Sequence, residues 1–150
     1  MTTKIDRPED MPVEAYHYWH KVWCDYLNEN YKDSFVKAGL PGCSFTERVP
    51  DAPDGKGYFS YAHGPDGTLY FMEEEGNAVI EYDSYALGLQ MLGDENCSFA
   101  EQVKAGRVRF IRNAQDFAKM AALQPLQREA FRVAIEETEK KFDLELPKYW

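Results

Sequence analysis

His17, His20 and Cys24 are spaced three and four positions apart, which places all three side chains within one arc of a helix. Imidazole and thiolate ligate zinc, copper or iron, so this arc is a candidate metal site. No fourth ligand lies nearby in sequence, and His63 or a carboxylate from elsewhere would have to supply it. The same residues have a plainer account. Tyr16, Trp19 and Trp23 surround them, a free cysteine packs as a small hydrophobe, and a buried histidine needs only a hydrogen bond. On that account the three simply complete the inner side of the helix, and no cofactor is expected.

Other chemistries find less support. There is no G-x-S-x-G elbow for a nucleophilic serine, no G-x-G-x-x-G after a strand and no Walker-type phosphate loop. Glu73-Glu74-Glu75 offers carboxylates for a hard cation, but three adjacent acids beside a turn read first as a solvated face. Arg107, Arg109 and Arg112 form the one basic cluster. It suits the carboxylate or phosphate head of an amphipathic ligand, or else the exposed side of an edge strand, where charge discourages aggregation.

The frame that must position these groups is bounded by composition. A chain of 150 residues with 44% hydrophobic and 15% aromatic side chains can bury one core without staples. A formal charge of −9 repels phosphate backbones and anionic lipid surfaces, so nucleic acid is not expected, and no stretch is long enough in apolar residues to span a bilayer, so stable membrane insertion is not expected either. The odd, scattered set Cys24, Cys43 and Cys97 argues against a disulfide framework and for a reducing, cytoplasmic compartment. Residues 1–11 are polar and contain Pro8, which reads as a flexible tail, with a single domain expected over 12–150.

Periodicity supplies the elements. From Pro12 to about position 28, Tyr16, Trp19, Trp23, Tyr26 and Leu27 recur at helical spacing, and a second short helix follows from about Tyr31 to Ala38, stopped by Gly39. Cys43, Phe45, Glu47 and Val49 then alternate with polar residues as in a strand. Two aromatic-rich runs joined by Gly64-Pro-Asp-Gly67, and a third after Glu75-Gly-Asn77, extend this into an antiparallel meander. A helix closing at Gly93, a capping box at Ser98 and Glu101, a strand over 107–112 and two further helices complete the chain. The expected class is α+β, an antiparallel sheet of about five strands covered on one face by helices, with an extra N-terminal helix and C-terminal helix.

The stretch 58–123 carries Leu92-Gly93, Ser98-Phe99 and Lys104-Ala-Gly-Arg-Val-Arg-Phe-Ile111, followed by Phe117 and Met120. In these words it resembles the sterol carrier protein type 2-like family. The resemblance implies a sheet covered on one face by helices, with an apolar tunnel between them that accepts sterols, fatty acyl chains or similar ligands. Where the family often has a second glycine after its last strand, this chain has Arg112-Asn113, so that turn must be built differently.

Phe71, Tyr82, Tyr85, Leu89, Leu92, Phe99, Val103, Phe110, Phe117 and Met120 are the residues that would line such a cleft, with Tyr82 or Tyr85 hydroxyls fixing a ligand's orientation. Each is also acceptable as ordinary core. The expected function is binding or carrying an apolar small molecule. The alternative is an enzyme, or an accessory subunit of one, acting on aromatic or steroid-like substrates with a metal at His17, His20 and Cys24. A protein partner or a homo-oligomer would use Trp19, Trp23 and Tyr149-Trp150 as an aromatic surface.

Overall fold

A computed structural model describes residues 1–149. Its first half contains Thr3–Lys4 (β1), Val13–Lys37 (α1), Ser44–Arg48 (β2), Tyr58–His63 (β3), Leu69–Met72 (β4) and Ala78–Tyr82 (β5). Its second half contains Tyr85–Gly93 (α2), Phe99–Lys104 (α3), Val108–Arg112 (β6), Ala114–Ala118 (α4), Gln124–Phe142 (α5) and Leu144–Glu145 (β7).

The aromatic stripe read from the sequence is the buried face of α1, where Tyr16, Trp19, Trp23 and Leu27 all leave solvent. At Tyr31 the backbone departs from helical geometry (φ −135°, ψ 17°), so the two expected helices are one element with a kink. Helix α5 packs along α1: Trp19 meets Phe131 edge-on at 5.4 Å, and the hydroxyls of Tyr26 and Tyr31 both donate to Glu129.

The main sheet has the order β4-β3-β2-β5-β6. Phe45, Glu47, Phe59, Tyr61, Ile80 and Tyr82 occupy its inner face, because register pairs Phe45 with Tyr61, and Glu47 with both Phe59 and Ile80. The outer face is polar and ionic. Thr46 and Ser60 hydroxyls lie 2.6 Å apart, Arg109 reaches Glu81 at 2.9 Å and Asp83 at 2.8 Å, and Arg48 reaches Glu75 at 2.7 Å.

The sheet is mixed, which corrects the antiparallel expectation. β2, β3 and β4 form the expected meander, but β5 does not follow β4 as a hairpin partner; it crosses to lie parallel to β2. The connection over 73–77 runs against the start of β2, where Gly76 N–H donates to Thr46 Oγ1 and Asn77 N–H to Ser44 Oγ. A Cβ on Gly76 would lie 2.4 Å from the Phe45 backbone nitrogen, so only glycine permits this approach. Glu75-Gly-Asn77 has the composition of a hairpin turn and here serves as a crossing.

The segment 1–11 also departs from expectation. β1 pairs in parallel with β7, Thr3 N–H donates to Asp143 O, and Pro8 and Met11 are buried. Met11 joins the hydrophobic core, which supplies the apolar contact that a frayed tail lacks. After β6, Asn113 takes the left-handed conformation (φ 54°, ψ 52°) and opens α4. Asparagine tolerates this region better than most residues, so the turn forms without glycine.

Candidate ligand cavity

Between the inner face of the sheet and all five helices lies a cavity of about 760 Å³. Nine of the ten residues singled out from the sequence border it: Tyr82, Tyr85, Leu89, Leu92, Phe99, Val103, Phe110, Phe117 and Met120. Gly106, with a left-handed backbone, turns α3 back into β6, and the Asn113 turn sends α4 over the same strand. Phe110 consequently stands between Phe99 at 5.6 Å and Phe117 at 5.8 Å. Phe71 is elsewhere. It lies on edge strand β4, beyond His20, and borders a second cleft of about 340 Å³ with Tyr16, His17 and Cys24.

Several wall residues were not expected in the cavity from the sequence, and three of them were assigned there to a metal arc or a docking surface. Trp19, His20 and Trp23 from α1, Phe59 and Tyr61 from β3, and Glu47 from β2 all face the cavity. Trp19 Nε1–H donates to Tyr85 Oη at 2.8 Å, which fixes the tyrosine inside the wall and occupies its oxygen. Glu47 is the one carboxyl among the lining residues. Tyr61 donates to its Oε2 at 2.8 Å and Tyr82 donates to the same carboxyl. Burial raises its pKa, against the opposing pull of those two phenols. Its remaining free surface is turned to the cavity.

Two solved structures share this frame. One is titled "UbiJ-SCP2 Ubiquinone synthesis protein", 13% identical, with a TM-score of 0.53 over 77% of this chain and 96% of that one. The other is the sterol carrier protein domain 2 of Helicoverpa armigera, 13% identical, with a TM-score of 0.50 over 82% of this chain and 93% of that one. The chain has the sterol carrier protein type 2 fold. No protein-family model and no curated protein matches the sequence, so the likeness is one of architecture.

Within this sterol-carrier architecture the metal arc is not assembled. His20 Nδ1 lies 2.8 Å from Tyr16 O, the Cys24 thiol donates to Leu69 O, and His17 Nε2 lies 3.5 Å from Asp54. Among the described residues no group of three His, Cys, Asp or Glu side chains can hold a metal ion. Burial pushes the Cys24 thiol up to about 11 and His20 down to about 4, so the thiol stays protonated and the imidazole neutral at pH 7. These are the properties of core residues.

The other candidate groups also resolve. Arg109 and Arg112 lie on the outer face, where Arg112 donates to Gly76 O and Asn77 O, so they do not meet a ligand in the cavity. Glu73 and Glu75 pair with Lys56 and Arg48. Trp19 and Trp23 are buried and so present no docking surface; Tyr149 is half-buried, and Trp150 lies outside the described residues. Cys24, Cys43 and Cys97 are free. No helix among the described residues is long and apolar enough to cross a membrane.

Proposed function

We propose that this protein binds and carries an apolar small molecule, a sterol, fatty acyl or aromatic compound, in the cavity between sheet and helices. The observation that carries the reading is the cavity itself. Its volume of about 760 Å³ falls within the usual span of small-molecule sites, and its wall is mostly aliphatic and aromatic with a few polar groups. A core packed to ordinary density leaves few voids larger than a water molecule. The two fold neighbours are named for sterol carriage and for ubiquinone synthesis, which supports a ligand of this kind.

The test is titration with Nile red, a neutral apolar fluorophore, on the parent and on Val103→Trp and Met120→Trp. The parent should bind it, and both variants should lose binding while melting close to the parent, because the indole enters free volume. If the parent does not bind and the variants lose about 1–3 kcal/mol of stability, the region is solid core and the carrier reading fails.

A further inference from the structure

An ionisable group in an apolar wall costs several kcal/mol when unpaired, so its presence calls for a partner. Glu47 is such a group. It stands in the middle of β2 between Phe59 and Ile80, and its hydrogen-bond partners are the phenols of Tyr61 and Tyr82. A carboxylate offers about four lone-pair sites, so acceptor capacity remains. The arginines of the sheet do not reach it, since Arg48, Arg109 and Arg112 pair with Glu75, Glu81 and Asp83 on the outer face.

A second polar group in the same wall does lack a partner. Trp23 is only 6% exposed and borders the cavity beside Tyr61, with ring centroids 6.3 Å apart. Its Nε1–H has no hydrogen-bond partner. A buried indole N–H usually finds one, and leaving it unpaired costs about 1–3 kcal/mol. The Trp23 N–H has no accessible surface of its own, so the polar group that the cavity leaves open is the Glu47 carboxyl, beside the Tyr61 ring.

We propose that the cavity selects apolar ligands whose head group donates a hydrogen bond and carries no negative charge, a hydroxyl or an ammonium. Glu47 accepts from the head. Long-chain carboxylates are disfavoured, because their charge would meet that of Glu47 where little water screens it. This selectivity rests on the carrier reading and narrows it. Lys104 and Arg128 also border the cavity, Lys104 exposed at its rim and Arg128 with its Nε unpartnered, and they define the competing arrangement in which a carboxylate head seats there.

The experiment is displacement of Nile red at pH 7.5 by dodecan-1-ol, dodecylammonium and dodecanoate, each below its micelle threshold, on the parent and on Glu47→Gln. Salt at 0.15 M screens the overall charge beyond about 8 Å. The parent should be emptied by dodecan-1-ol or dodecylammonium at concentrations at least about tenfold lower than by dodecanoate. The better of the two identifies the head as hydroxyl or amine. An alcohol enters any apolar space more readily than a carboxylate, so the deciding quantity is the dodecylammonium to dodecanoate ratio, which Glu47→Gln should reduce about tenfold or more. Dodecanoate matching dodecylammonium in the parent, or a ratio unchanged in a folded Glu47→Gln, overturns the proposal and leaves the carrier reading standing. If Glu47→Gln does not fold, the parent's ratio alone decides. No Nile red binding by the parent overturns both.

Discussion

Lowering the pH from 7 to 4 should destabilise this protein through His20. The imidazole stacks on Trp19 at 3.8 Å and lies 4.4 Å from the ring of Tyr16, and burial drops its pKa from 6.5 to about 4. The unfolded chain therefore binds a proton that the folded chain refuses. Stability is unaffected above pH 6.5, falls as pH drops from 6.5 to 4, and levels off below. At about 1.4 kcal/mol per pH unit, the loss is about 3 kcal/mol. His63, also lowered by burial, adds in the same direction, whereas the raised Glu47 acts oppositely, because protonating it in the fold becomes favourable as pH falls. Comparing the parent with His20→Phe isolates the His20 contribution, since phenylalanine keeps the stack and cannot titrate. Urea unfolding followed by tryptophan fluorescence at pH 7, 5.5 and 4 should show the parent losing about 3 kcal/mol more than the variant. Parallel pH curves for the two would refute the reasoning and mean that water or rearrangement solvates the imidazolium.

Gly76→Ala should cost about 3 kcal/mol or more, because the new Cβ meets β2 backbone that cannot move aside; a melting temperature within a degree or two of the parent would show that the crossing relaxes. Tyr85→Phe strands the buried Trp19 N–H and should cost about 1–3 kcal/mol by urea unfolding, while an unchanged midpoint would mean the indole finds another acceptor.

Helix faces and the β2-β3-β4 meander were legible because they are written in local periodicity: the Tyr16, Trp19, Trp23 stripe and the Phe45, Glu47, Val49 alternation translate directly into buried faces. The parallel docking of β5 was not, since Glu75-Gly-Asn77 suits a hairpin equally well, and only the tertiary contact of Gly76 with β2 decides between them. Most of the cavity wall on α2, α3, β6 and α4 followed from helices that flank one strand in sequence. Phe71 was misplaced because apolar patterning cannot tell on which side of α1 an edge strand opens its face. Glu47 was visible in one respect: a carboxyl sat at an inward position between Phe45 and Val49, which is where a charged residue is least at home.

The parallel ladder between β2 and β5 divides the sheet into two antiparallel pieces. Residues 44–72 pair as an antiparallel meander, β5 and β6 pair around α2 and α3, and the two are joined along this parallel seam, with Gly76 and Asn77 as its stitches and Tyr85 N–H donating to Asp51 beside it. Glu47 and Tyr61 belong to the first piece; Tyr82 and Phe110 belong to the second. The cavity is therefore absent from either half and exists only where the seam is closed. A molecule held there touches both halves, so it would act as a clasp across the seam, slowing its opening and raising amide-exchange protection along β5 above that of the locally paired β3 and β4.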